Sequence, residues 1–295
     1  MSHVTIVKNF TNYLRFEKGC SSPTIEKYQF ELRKYFTYLD SEKLAYSSVS
    51  HIDLRSYMYA RAGNLKKPTY ATILAILKSF YSFLHTEQIM EKNPTEKLLF
   101  PKQSRRDHLP HCLDVSEQST LREMLVQTKR NFTNDRNRAI IAMFIYTGIR
   151  TSELCTLTRM HYSQTTSSIT ITRKGGKQQV IPLPKTLVTI LEQFWLPWMA
   201  KISSEWFFSQ KGGKPMNPRI IWHLVSKELK ALQCNEQRKC GAHVLRHTFA
   251  TNLVRKRAQL IEIQHLLGHS DVKMTQIYTH VSPESLRDTI QLLDE

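Results

Sequence analysis

Residues 241–254, GAHVLRHTFATNLV, place His243, Arg246 and His247 on one helical segment, and residues 264–281, QHLLGHSDVKMTQIYTHV, follow with His269 and Tyr278. Arginine presents a planar fork matched to phosphate oxygens, and histidine donates a hydrogen bond or moves a proton near neutral pH. Leu245, Phe249 and Leu253 recur at i, i+4 and i+8 as a core stripe, while His243 and Arg246, three apart, share a turn. Gly241 marks the start of that helix, where free N–H groups add to the attraction for an anion. The set suits chemistry at a phosphodiester. By residue type alone it also fits surface or capped core positions, and Tyr278, at the edge of a Met274, Ile277 and Val281 stripe, also fits a half-buried core tyrosine. YTGIRTSEL repeats the design, with a helix ending at Gly148 and Arg150 in the break before the next. There a structural salt bridge from Arg150 to Glu153 is the open alternative.

The elements that must position these residues are mainly helical. HVTIVKNFTNYLRFEK carries Val4, Val7, Phe10, Tyr13 and Leu14 in a helical rhythm. After GCSSP, with Ser22 as N-cap and Pro23 at the first helical position, TIEKYQFELRKYFTYL forms a second helix. SHIDLRSYMYAR is the third, and PTYATILAILKSFYSFLHTE the fourth, with Ile73, Ile76, Leu77, Phe80 and Leu84 on one face. FPKQSRRDHLPHCLD is basic, holds two prolines and lacks periodicity, which marks a linker. Beyond it, DVSEQSTLREMLVQT and the nearly apolar RAIIAMFIYTG read as helices, the latter buried at a domain centre. SSITIT and QQVIPL, separated by RKGGK, read as a β-hairpin with a glycine turn. Helices near 186–200 and 218–232 lead into the opening motif. The rhythm of Leu260, Ile263 and Leu267 stops at Gly268, a C-terminal cap, and Ser270 is placed to cap a further helix. The tail SPESLRDTIQLLDE, with Leu286, Ile290 and Leu293 on one face, reads as a short amphipathic helix.

Composition narrows the partner. The 295 residues suffice for about two domains. With 42 basic and 25 acidic residues the formal charge is +17, which points to a polyanion. Residues 1–100 hold 14 basic against 9 acidic residues and the rest 28 against 16, so both halves are basic. Basic residues spread through helices, with no lipidation signal, fit nucleic acid better than a membrane surface. No apolar run approaches the ~20 residues that span a bilayer, and no signal-peptide core opens the chain, so a cytoplasmic, nucleoid-associated protein is expected. Five scattered cysteines suit reduced thiols. Cys234 and Cys240 precede His243 and His247, but the gap between the cysteines exceeds zinc-ligand spacing and Arg246 interrupts the histidines, so no metal is expected. No G-x-x-x-x-G-K-[ST] loop is present.

TGIRTSEL, RKGGKQQVIPL, HVLRHTFAT and LGHSDVKMTQIYTHV, in this order and with these gaps, resemble the tyrosine recombinases and integrases, the family of XerC, XerD, Cre and the phage integrases, with Xer-like organisation. The first hundred residues are similar in helix pattern to the family's core-binding domain. The resemblance implies a mainly α fold with a small β-hairpin or sheet, its two domains forming a C-shaped clamp on DNA. Residues 1–100 would be the DNA-binding domain, 101–112 a linker and 113–295 the catalytic domain with a C-terminal exchange helix. By position, the family's arginines fall on Arg150 and Arg246, its histidines on His243 and His269, and its nucleophile on Tyr278. Its hairpin lysine falls on Lys174, with Lys177 the second candidate, and Glu153 matches a supporting acidic position. The implied activity is site-specific recombination through a covalent 3'-phosphotyrosyl intermediate and a Holliday junction, with no cofactor, metal or ATP. The implied partners are a duplex recombination site, three further protomers or paralogues in a tetramer, and accessory DNA-bending proteins. The absence of a long N-terminal arm-binding extension favours the Xer- or Cre-like arrangement. Rival readings are a type IB topoisomerase-like nicking-closing enzyme, a metal-independent nuclease using histidine and arginine, and an architectural DNA binder.

Overall fold

The computed structural model describes residues 3–63, 65–101, 112–126, 130–173, 175–232 and 241–268. The chain separates into two compact units, residues 1–108 and 109–295. Most of the expected linker, and Cys234 and Cys240, lie outside the described residues, as do Ser270 and the tail.

The N-terminal unit is built from α1 (His3–Asn12), extended by a π-helical turn at Tyr13–Glu17, α2 (Ser22–Ser41), α3 (His51–Ala62) and α4 (Lys67–Thr86). The face expected on α4 is the one it buries: Ile73, Ile76, Leu77, Phe80 and Leu84 are each at most 2% exposed. Of the rhythm expected along α1 and its π-helical extension, Phe10 and Leu14 are buried and Val7 and Tyr13 pack against the core, but Val4 stands in solvent and Ile6 takes an inward place instead. Val4 and Ile6 are two residues apart, which sets them on nearly opposite sides of the helix. The cap of α2 is Ser21, one residue before the expected Ser22, which leaves Pro23 at the second helical position, where a missing N–H still costs nothing. Ser50 and Asp53 close a reciprocal capping box at the start of α3. Aromatic rings fill the centre, with the Tyr35 and Tyr81 hydroxyls 2.5 Å apart and the Tyr81 hydroxyl donating on to the Tyr46 carbonyl.

The second unit contains α5 (Val115–Val126), α6 (Phe132–Thr147), α7 (Thr151–Cys155), β1 (Tyr162–Ser163), β2 (Ser168–Thr172) and β3 (Gln178–Pro182). Then follow α8 (Lys185–Ile190), continued by a π-helical turn into α9 (Leu196–Met199), α10 (Pro218–Ala231), α11 (Ala242–Arg255) and α12 (Leu260–Leu267). The central helix, α6, is longer than its apolar run suggested. Its polar first turn also sends one side chain inward: Asp135, fully buried, takes an ion pair from Arg138 at 3.2 Å and a hydrogen bond from Trp198 at 2.8 Å. The sheet is antiparallel in the order β1-β2-β3; the two-residue β1, unforeseen because it is too short to show alternation, pairs Tyr162 with Ile169. In the hairpin Ile169 faces Ile181, and Thr172 faces Gln178. The turn between them uses Gly175 and Gly176, both at positive φ. The start of the unit is pinned to α11: the Leu113 N–H donates to Thr248 Oγ1 at 2.8 Å, and Asn252 donates to Gln118, which in turn holds the Leu113 carbonyl.

Gly148 ends α6 in the left-handed conformation, and a Cβ there would meet Phe249 of α11 at 2.5 Å. Gly148→Ala is therefore expected to destabilise the second unit by about 2–4 kcal/mol, from backbone strain and overpacking together. Gly63, with open space around it and an αR backbone, serves as the control and should tolerate alanine. Urea unfolding of both variants checks this; equal effects at the two glycines would refute the packing argument.

Candidate active site

The site is assembled around one helix end. The last C=O groups of a helix lack partners within it and carry its partial negative charge, so they attract cationic donors. At the end of α12 the His265 carbonyl accepts from Gln179 Nε2 at 2.8 Å, and the Leu266 carbonyl from Arg173 Nη2 at 2.6 Å. The Leu267 carbonyl accepts from Arg246 Nη2 at 2.6 Å, and the Gly268 carbonyl from Arg150 Nη2 at 3.1 Å. Four successive carbonyls thus take donors from β3, the hairpin turn, α11 and the start of α7. Gly268 is left-handed, and a Cβ there would lie 2.6 Å from Arg173 Nε, so only glycine lets the arginine approach.

Each described site residue follows from its local sequence. Gly148 breaks α6 and lets the chain turn into Arg150, whose extended backbone starts α7. The Arg150 N–H donates to Glu153 Oε2 and its Nη1 to Glu153 Oε1, both at 2.8 Å. The salt bridge considered from the sequence is therefore real, and it orients a guanidinium that remains 31% exposed. Arg246, on the inward side of α11, is buried and also donates to the Gly148 carbonyl. Arg150 and Arg246 thus converge on adjacent carbonyls of one helix end.

His243 lies in the first turn of α11 with its side chain at the surface. The protein packed about the ring pushes its pKa below the ordinary 6.5, and the charges of Arg246 and Arg150 push the same way. Both effects favour the neutral imidazole, the form that can accept a proton. Burial by itself would raise the Glu153 carboxyl, but hydrogen bonds from the Arg150 backbone and side chain, and the ion pair with Arg173, outweigh it and hold the group below its usual range. Lys177 is exposed, and its carbonyl accepts the Arg173 N–H at 2.7 Å across the turn. Lys174, His269 and Tyr278 lie outside the described residues.

Arg173 and Gln179 were not singled out from the sequence. Strand alternation carries the signal: Arg173 continues the inward positions of Ile169 and Ile171, and Gln179 shares a face with Ile181. A charge at the inward end of such a row needs a buried partner. That partner is Glu153, 2.8 Å from Arg173 Nη1.

Comparisons with known proteins point to one family. Residues 115–285 match the phage integrase family, and residues 7–88 match the phage integrase N-terminal SAM-like domain. The chain is 31% identical over 291 residues to tyrosine recombinase XerD of Staphylococcus saprophyticus, covering 96% of each. It is 32% identical over 294 residues to tyrosine recombinase XerC of Bacillus pumilus, covering 96% of this chain and 94% of that one. Among solved structures, XerH site-specific recombinase bound to a palindromic difH substrate superposes with a TM-score of 0.77 at 21% identity, over 98% of this chain and 85% of that one. The Tn1549 transposon integrase with circular intermediate DNA gives a TM-score of 0.71 at 17% identity, over 97% and 98% of the two chains.

Because the folded pKa of Glu153 is lowered, its contribution to stability is complete above the ordinary carboxyl value of 4.5 and is lost as pH falls through the folded value. Glu153→Gln should accordingly lower the urea midpoint strongly at pH 7 and progressively less in acid. A pH-independent loss would show that the carboxylate charge is not what holds the two arginines. The match over most of the second unit and the full-length identity to XerD and XerC establish that the chain belongs to the phage integrase family and is a tyrosine site-specific recombinase.

Proposed function

We propose that this recombinase cuts and rejoins duplex DNA with Tyr278 as nucleophile. The Tyr278 oxygen attacks the scissile phosphorus and forms a 3'-phosphotyrosyl bond as the bond to the 5' oxygen breaks, splitting one exchange into two easier steps. His243 takes the tyrosine proton, and Lys174 donates one to the leaving 5' oxygen. Arg150, Arg246 and His269 stabilise charge on the non-bridging oxygens, with Glu153 orienting Arg150. The phosphotyrosyl bond conserves the energy of the cleaved bond, so rejoining needs no ATP, and exchange of one strand pair produces a Holliday junction. The observation that carries this reading is the convergence of Arg150 and Arg246 on the carbonyls of Leu267 and Gly268, directly before His269 and ten residues before Tyr278. A tyrosine hydroxyl, with a reference pKa of about 10, needs a base beside such a cationic pair, and a neutral His243 meets that need.

Duplex DNA as partner is supported by the charge of +17 and by the DNA-bound relatives of the same fold. No helix among the described residues is long and apolar enough to cross a membrane. Dimer resolution, cointegrate resolution and integration share this chemistry; where the two sites lie decides which results. Tyr278→Phe should abolish cleavage of a nicked site while leaving DNA binding intact, and Arg150→Ala should slow cleavage on the order of a hundred- to a thousandfold. A covalent adduct persisting in Tyr278→Phe would remove Tyr278 from the role. Cleavage without any protein-DNA adduct in the native enzyme would favour the nuclease reading.

Recombination needs four protomers on two sites, and the tail is the proposed link between them, with paralogues and DNA-bending proteins as further partners. The second unit carries a groove of about 640 Å³ with Leu121, Leu125 and Phe249 in its walls and Arg122, Arg255 and Lys256 at its rim. Read as a helix from its spacing, the tail sequence would set Leu286, Ile290 and Leu293 on one face, and it carries Glu284, Asp288, Asp294 and Glu295 against a single Arg287, a pattern that complements that groove in polarity and charge. A helix of about a dozen residues is marginal alone and needs such a surface. Deleting residues 284–295 should leave one-site binding unchanged and lower cooperative binding and recombination in gel shifts on two-site DNA. Full cooperativity in the truncated chain would exclude the exchange.

A further inference from the structure

We propose that Arg173 is a positioning residue for strand cleavage, tying the turn that bears Lys174 to the helix end that leads into His269. All three of its guanidinium nitrogens are engaged, Nη1 with Glu153 Oε2 at 2.8 Å, Nη2 with the Leu266 carbonyl at 2.6 Å and Nε with Gln179 Oε1 at 2.8 Å. Its backbone is equally held. The N–H donates to the Lys177 carbonyl at 2.7 Å and the carbonyl accepts from Gly176 at 3.1 Å, so both ends of the glycine turn are anchored at this residue. One rigid fork therefore fixes α7, β3 and α12 against the residue that immediately precedes Lys174. The side chain is buried, and the space it occupies exists because residue 268 has no Cβ.

A lysine at position 173 would keep the charge but reach one of these partners at a time, because an ammonium lacks the planar fork. The turn would then be free to shift relative to the helix end. A displacement of about 1 Å in a proton donor costs on the order of a hundredfold in rate. This inference rests on Lys174 as the donor to the leaving oxygen, and the experiment separates the two. Single-turnover cleavage by the full chain is measured on an ordinary nicked site and on one with sulfur in place of the 5' bridging oxygen. A thiolate, whose conjugate acid has a pKa of about 8.5, leaves without a proton donor, so a defect in protonation disappears on the sulfur substrate.

Lys174→Ala should be slow on ordinary DNA and recover on the sulfur substrate. Arg173→Lys and Arg173→Gln should lose about a hundredfold on ordinary DNA, recover in the same way, and bind the site as the native protein does. Gln179→Leu, which leaves every charge in place, should show a smaller loss with the same recovery and keeps the test open if an Arg173 variant does not fold. Full rate on ordinary DNA in the Arg173 variants or in Gln179→Leu would overturn the proposal, as would a loss that persists with sulfur while Lys174→Ala recovers. Failure of Lys174→Ala to recover would instead remove Lys174 as the donor, and this role of Arg173 with it.

Discussion

The C-terminal end of α12 is the constraint on which the site depends. Four consecutive carbonyls, with the negative end of a helix dipole behind them, accept donors from side chains that are otherwise far apart in sequence. Three of the four donors are arginines, each taken from a different element, and each would be costly to bury without a strong acceptor. The helix end supplies that acceptor, and in doing so it draws the start of α7, the hairpin and α11 to one point. The two glycines that make this possible act differently. Gly148 lets α6 stop under Phe249, and Gly268 leaves room for a guanidinium.

Glu153 is the counterweight. A buried carboxylate between Arg150 and Arg173 takes hydrogen bonds on both oxygens, so its desolvation is offset by geometry that is close to ideal. One acid set among three arginines leaves the site cationic. That excess suits the proposed reaction, since a phosphodiester is an anion that gains charge on its oxygens as the phosphorus is attacked. Desolvation of the ring, and after it the charges of Arg246 and Arg150, lower the pKa of His243 and favour the neutral form that the proposed proton transfer requires.

The N-terminal unit answers to a different physics. Its core is ring against ring, with Phe10, Tyr35, Phe80 and Tyr81 in contact, and a hydroxyl pair that satisfies two buried polar groups at once. Such a core is stabilised within the unit itself. The second unit instead spends buried polar groups on organisation, as the Asp135, Arg138 and Trp198 cluster at the start of α6 illustrates.

By itself the sequence determined the class of the fold, and through its resemblance to one family it proposed the catalytic candidates. Helical rhythm located α4 and α12, glycines marked the ends of α6 and α12, and alternation with a glycine turn marked the hairpin, because each of these signals is local and written in two to twenty consecutive residues. Arg150, His243, Arg246, His269 and Tyr278 became candidates because three short motifs, TGIRTSEL, HVLRHTFAT and LGHSDVKMTQIYTHV, resemble those of one family in order and spacing. Only the tertiary structure decided that Ile6 rather than Val4 is buried on α1, that a two-residue strand completes the sheet, and that Arg173 and Gln179 join the cluster at the end of α12. Arg173 is one of three basic residues in RKGGK, and composition there does not distinguish a solvated charge from a buried one. What distinguishes it is a carboxylate 20 residues upstream and a carbonyl 93 residues downstream. Hydrogen-bond partners at that separation are set by how helices and sheet pack together, which no local pattern records.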